Sequence, residues 1–191
     1  MSAAMPAGPS IPQESSAAPS AAEAGTRVAD ALARMRKVFD ARPEAAINDD
    51  AAATASLQTG ARMRIAADDG YTVVSDMPAP AGEGAGPTPA WYFRAGLAAC
   101  TATALRLYAV ERGVPLDALE VRVTSRSDKR GLLRIGDISA ALDLRVEVRL
   151  SAAGVPDEVL HDLAREAHRF SPTNATLLAG RPGELHVSIV R

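Results

Sequence analysis

The chain reads as an α+β protein in which helices cover one side of antiparallel sheet. Two segments, 119–127 and 141–150, alternate apolar and charged residues, the pattern of strands with one buried and one wet face. Between Thr88 and about Arg112 lies a long apolar stretch bracketed by helix start and stop residues. Taken along the chain, these and the weaker signals give the order β-β-α-β-β-α-β. A length of 191 residues allows one such domain with a sizeable core, plus a tail.

The tail comes first. Residues 1–25 are mostly Ala, Ser, Pro and Gly with little to bury, so they are expected to be disordered. From Thr26 the pattern changes, and Val28, Leu32, Met35 and Phe39 recur at helical spacing. Arg34, Arg36 and Lys37 fall where the last turn is expected, at the end of the helix dipole that favours cations. Pro43 closes this amphipathic helix, which spans 26–42 and must dock on something to persist. A domain over 52–191 follows. Residues 52–76 read as a pair of strands, with Ala61, Met63 and Ile65 alternating with Arg62 and Arg64, and with a hairpin turn at Asp68-Asp69-Gly70. The run 78–89 is loop by composition.

Thr88 is the expected N-cap of the central helix and Pro89 its first residue. Gly113 and Pro115 stop it. Ala95, Gly96, Ala98, Ala99, Ala102 and Ala104 keep its girth small, so backbone on several sides can approach. In the strands that follow, Leu119, Val121 and Val123 face inward in one, and Leu142, Leu144, Val146, Val148 and Leu150 in the other. A second helix begins near Pro156, with Asp157 and Glu158 in its first turn and Val159, Leu160, Leu163, Ala164 and Ala167 as its apolar face. Residues 184–190 read as a last strand burying Leu185, Val187 and Ile189.

Composition narrows the function. A net charge of -2, from 21 basic and 23 acidic residues, gives no electrostatic reason to expect nucleic acid or an anionic membrane as partner. No apolar run approaches the ~20 residues of a membrane span. No basic residue precedes Arg27, so a secretory signal is not expected. A single cysteine excludes an internal disulfide and a cysteine-based zinc site, and it fits a reducing compartment, so the cytoplasm is the expected location. His161 and His168 lie two helical turns apart, about 10.5 Å along the axis. With His186 on a strand, they suggest no metal site, and no cofactor motif is present.

The cysteine itself is the chemical candidate. Cys100 sits in mid-helix, on a face with Phe93, Gly96, Leu97, Thr103, Ala104 and Leu107. A cysteine in such company is ordinarily a small hydrophobe, and a reactive one needs a cation or a helix N-terminus nearby. Activation is therefore expected from an arginine brought in by the fold, with Arg62, Arg64 and Arg94 available. Arg94 lies roughly 120° off the thiol's face and is not a direct helix neighbour. Ser171 lacks the G-x-S-x-G turn of hydrolase nucleophiles and reads as the end of the second helix.

The segments GPTPAWYFRAGLAACTATALRLYA, VPLDALEVRVTSRSD and LHDLAREAHRFSPTNATL, in that order, resemble the OsmC/Ohr family of osmotically inducible and organic hydroperoxide resistance proteins. The resemblance covers the chain from about 55 to its end. It implies an intertwined homodimer with antiparallel sheets wrapped around the central, cysteine-bearing helix. It also implies, for peroxidase members, a helix thiolate that attacks a hydroperoxide oxygen. An arginine from the N-terminal sheet stabilises that thiolate, a glutamate near the helix start orients the arginine, and a second cysteine resolves the sulfenic acid. Cys100 takes the peroxidatic position. Arg62 or Arg64 matches the N-terminal arginine, with Arg94 a further candidate. The glutamate position falls at Ala90, Glu83 being the only acid in the loop before it. The resolving position falls at Ser171, or at Phe170 if the register shifts by one. The resemblance thus implies a thiol peroxidase with no internal resolving cysteine, acting on organic hydroperoxides and reduced by an external thiol. The alternatives are a non-catalytic small-molecule-binding protein of the same fold, or a redox sensor.

Overall fold

Ser20 opens the first helix of the computed structural model, which describes residues 20–138, 141–180 and 183–189. Its hydroxyl accepts from the Glu23 N–H while the Glu23 carboxylate accepts from the Ser20 N–H, a capping box that satisfies two end groups at once. The helix α1 (Ala21–Ala41) therefore starts ahead of Thr26, inside the stretch expected to be disordered; residues 1–19 of that stretch lie outside the described residues. Because α1 runs on to Ala41, Arg34, Arg36 and Lys37 sit above its last turn, which holds no basic residue. A 3-10 turn follows at Pro43–Ala46.

The N-terminal sheet has three strands rather than two. β1 (Ala53–Thr59), β2 (Arg62–Ala67) and β3 (Thr72–Ser75) pair antiparallel in that order, with the expected turn at Asp68-Asp69-Gly70 joining β2 to β3. The extra strand β1 is exposed along its whole length, although Ala53, Ala55 and Leu57 alternate with Thr54, Ser56 and Gln58.

Helix α2 (Pro89–Glu111) begins as expected: Thr88 accepts from the Trp91 N–H and Pro89 takes the first helical position. It packs against α1, against β4 (Ala118–Ser127), and against the later helices α4 (Asp157–Phe170) and α5 (Pro172–Ala179). β4 and β5 (Ala141–Ser151) form a two-stranded antiparallel sheet, joined through a short helical turn, α3 (Lys129–Leu132). Register sets Val121 opposite Val148 and Arg122 opposite Glu147, so apolar and charged pairs alternate across the ladder.

The core lies between the second half of α2, α4 and the β4–β5 sheet. Ala104, Leu105 and Ala109 of α2 meet Leu163 and Ala167 of α4, while Leu119, Val148 and Leu150 pack from the sheet. Arg112 pairs with Glu166 across α2 and α4, and Arg36 with Glu111 across α1 and α2. Helix α1 thus docks on α2 of its own chain. Two expectations are corrected at the other end. Leu142 and Leu144 are exposed, because β5 extends past the helices that cover its inner half. Residues 183–189 form no strand, and Leu185, Val187 and Ile189 are 85%, 74% and 82% exposed. The alternation of 184–190 marks a strand that finds no edge to pair with among the described residues; Val190 lies outside them.

Candidate active site around Cys100

Cys100 is half-buried in the middle of α2, where it is the chain's single thiol. What faces it comes from the junction of α4 and α5. Ser171 ends α4 by donating its N–H to the Ala167 carbonyl, and it opens α5 by accepting from the Asn174 N–H at 3.5 Å. It is fully buried, and its hydroxyl donates to Cys100 Sγ at 3.4 Å. The Thr173 hydroxyl lies 3.3 Å from that of Ser171.

The thiol pKa lies below the ordinary value. Burial is the largest single influence and pushes it up; the Ser171 hydroxyl, the Thr173 N–H and the Thr173 hydroxyl together outweigh that push. The junction is itself held from behind. The Asn174 side-chain amide donates to the His168 carbonyl at 2.6 Å and lies 3.4 Å from its Nε2. Gly180, in the left-handed region at φ 57°, closes α5.

The candidate arginines are engaged elsewhere in this chain. Arg62, on β2, pairs with Glu83 at 2.5 Å and reaches Asp76 at 3.8 Å. Arg94 donates to Ser125 on β4 at 3.1 Å, and Arg64 is exposed on β2. Among the described residues, no arginine contributes to the lowering of the thiol pKa. Ala90 is exposed in the first turn of α2 and carries no carboxylate, and the acid that Arg62 meets is Glu83, from the preceding loop. That loop is tied to Asp76, a buried residue that accepts N–H bonds from Met77, Glu83 and Ala85. The Ala85 N–H is the largest influence on the Asp76 carboxyl; with the Met77 and Glu83 N–H groups and the Arg62 charge, it holds the group below the usual carboxylate value against the opposing effect of burial. Gly82 lets the chain close this tightly, because a Cβ there would strike the Met77 carbonyl and the Asp76 carboxylate.

An apolar cleft of about 500 Å³ opens beside the first half of α2, lined by Ala90, Phe93, Leu142, Leu144 and Leu177, with Arg126 among the polar residues of its lining. Among the described residues, no group of His, Cys, Asp and Glu side chains is placed to hold a metal ion. No described helix is long and apolar enough to cross a membrane.

Thr173 and Asn174 are the site residues that the sequence pattern did not single out. Their signal is the Ser-Pro-Thr-Asn run, in which an N-cap serine precedes a first-position proline and so announces a new helix rather than the end of an old one.

A mixed fold of two antiparallel sheets and a central helix carrying a half-buried, acidified thiol defines a class of thiol proteins. Residues 82–185, more than half of the chain, match the family model described as OsmC-like protein, and the chain belongs to that family. Solved structures agree in fold. An OsmC-like protein from Mycoplasma pneumoniae is 17% identical with a TM-score of 0.58, the match covering 69% of this chain and 89% of that one. An organic hydroperoxide resistance protein OsmC from Legionella pneumophila is 21% identical with a TM-score of 0.51, covering 69% and 90%. An OsmC-like protein of unknown function from Vibrio cholerae is 14% identical with a TM-score of 0.54, covering 68% and 94%. No curated protein matches the chain.

Proposed function

We propose that this protein is a stress-response thiol peroxidase that reduces organic hydroperoxides through Cys100 without an internal resolving cysteine. The observation that carries the reading is the half-buried thiol of Cys100, to whose sulfur the buried Ser171 hydroxyl donates at 3.4 Å. A thiolate that a substrate can reach is the nucleophile such chemistry requires. The Cys100 thiolate attacks the terminal oxygen of the hydroperoxide; the S–O bond forms as the O–O bond breaks. Cys100 becomes a sulfenic acid, and the alkoxide takes a proton from water and leaves as the alcohol. An external thiol then attacks the sulfenic sulfur, forming a mixed disulfide and releasing water. A second thiol molecule attacks that disulfide and frees Cys100. Since Ser171 stands at the resolving position, both reducing equivalents come from outside the chain. The apolar cleft beside Phe93, Leu142, Leu144 and Leu177 is lined in part by the thiol's own helix, at Ala90 and Phe93, and suits the organic tail of a substrate.

The protein acts as a cytoplasmic homodimer. The fully exposed strand β1 and the uncovered apolar residues of 185–189 support this, since both offer unpaired edges and apolar surface for a second copy. The Arg62–Glu83 pair supplies an arginine with an orienting carboxylate, which the family resemblance associates with the thiolate.

The test is consumption of tert-butyl hydroperoxide with glutathione, dihydrolipoamide or dithiothreitol as reductant, comparing the native chain with Cys100→Ser. The native protein is expected to turn over with at least one reductant and the variant to lose all consumption. Sulfenylation of Cys100 without catalytic consumption would instead assign it the role of a redox sensor.

A further inference from the structure

We infer that Asp76 is a positioning residue for the reaction, because its buried carboxylate fixes Arg62 and the loop of Glu83 in one place. The inference rests on the proposed reading, in which the Arg62–Glu83 pair serves the Cys100 thiolate of the homodimer.

The placement begins with register. β2 and β3 pair antiparallel from Ala66 opposite Thr72 to Met63 opposite Ser75. One step further along the same ladder, Arg62 and Asp76 stand across from each other, where opposite charges attract. Asp76 Oδ2 lies 3.8 Å from Arg62 Nε, which is buried and has no hydrogen-bond partner among the described residues. A buried edge of a cation with no such partner costs least beside a fixed negative charge, and Asp76 supplies it. Glu83 takes the other side of the same guanidinium, at Nη2.

The two acids differ in rigidity. The Glu83 side chain is 76% exposed, so its pairing alone holds the arginine loosely. The Asp76 side chain is 1% exposed. It is pinned on Oδ1 by the Met77 N–H at 2.8 Å, and on Oδ2 by the Ala85 and Glu83 N–H groups at 3.0 and 3.2 Å. The Glu83 carboxylate therefore swings from a backbone that Asp76 has already fixed. Asp76 also reaches the thiol's helix. Its N–H donates to the Pro87 carbonyl at 3.2 Å, and the Ser75 hydroxyl donates to the same oxygen at 3.1 Å, one residue before the N-cap of α2. The end of the sheet that carries Arg62 is thus tied to the start of the helix that carries Cys100.

The experiment reads the rate of Cys100 alkylation by iodoacetamide against pH in the full-length protein, alongside hydroperoxide consumption. Arg62→Ala is expected to move the profile to higher pH and to slow alkylation near pH 7 by up to about tenfold, the effect of one pKa unit on the thiolate fraction. Asp76→Asn is expected to move it the same way. The double variant is expected to be no slower than Arg62→Ala alone, since Asp76 acts through the arginine; a residue that only stabilises the fold would add its effect to that of Arg62. If Asp76→Asn fails to fold, the exposed change Glu83→Gln carries the test. With Asp76 still holding Nε, Glu83→Gln is expected to shift the profile less than Arg62→Ala does, and an equal shift overturns the inference. An Asp76→Asn profile that superposes on the native one overturns it, as does a double variant slower than Arg62→Ala by the full Asp76→Asn factor; both leave Arg62 at the thiolate. An Arg62→Ala profile identical with the native one overturns it too, because the arginine then serves no thiolate. A native protein that consumes no hydroperoxide, yet shows the non-additive shifts, removes the peroxidase reading and leaves the positioning role of Asp76 standing.

Discussion

Asp76 shows how much one buried carboxylate can organise. A loop with almost no regular structure gathers its Met77, Glu83 and Ala85 N–H groups onto that side chain, and the same carboxylate faces Arg62. The folded state holds the Asp76 carboxyl below its usual pKa, so its contribution to stability is present in full above the unfolded value near 4. It is lost as pH falls through the lower, folded value. Asp76→Asn is therefore expected to be less stable than the native chain at pH 7, with the gap closing under acid conditions. Denaturant midpoints measured between pH 7 and 3 check this; a gap that stays constant with pH would remove the carboxylate's charge as the cause. The residue itself was not visible in sequence, because an aspartate at a strand end reads as a solvated turn residue. What makes it different is Gly82, which allows a backbone approach that no pattern of apolar residues announces.

At the scale of elements, the junction of α4 and α5 brings position 171 to Cys100. Ser171 Oγ is 3.4 Å from Cys100 Sγ, so a sulfur in its place lies within reach of a disulfide after small adjustment. Ser171→Cys is expected to form an internal disulfide when treated with one equivalent of hydroperoxide, detected as loss of both free thiols without a change in oligomer size. Retention of two free thiols after oxidation of Cys100 would show that the junction cannot close. Legibility differed sharply between elements. Helix α2 announces itself through Thr88, Pro89 and Gly113, and the β4–β5 ladder through its alternation, which burial follows in β5 only from Val146 onward. Helix α5 was missed because its N-cap serine directly follows α4, so one residue serves as both stop and start. Strand β1 lies inside the span 52–76 that reads as two strands, and its alternation runs into that of β2 across the turn at Gly60. The thiol's position was legible, and the family resemblance placed position 171 opposite it; the hydrogen bond from the Ser171 hydroxyl was not legible, because it depends on how α5 lies against α2.

Across the whole molecule, apolar surface is distributed unevenly. The second half of α2 is enclosed by α1, α4 and the β4–β5 sheet, while Phe93, Leu142, Leu144 and the segment 185–189 remain open. In the proposed homodimer strand β1 and the segment 185–189 are covered by the second copy, while the cleft beside Phe93, Leu142 and Leu144 stays open. Light scattering on the purified chain at micromolar concentration is expected to give the dimer mass. The triple change Leu185→Ser, Val187→Ser and Ile189→Ser is expected to shift the protein toward monomer. A native protein that is monomeric at those concentrations would remove the dimer from the reading.

The match to the family begins at Gly82, yet the carboxylate on which Gly82 closes lies upstream at Asp76. The boundary of shared sequence therefore cuts through a single hydrogen-bonded knot. A fragment begun at residue 82 would carry the thiol, the Ser171 hydroxyl and Glu83. It would leave behind Arg62 and the acceptor for the Glu83 and Ala85 N–H groups. The smallest piece of this chain that can be cut out whole must start before the strand that carries Arg62.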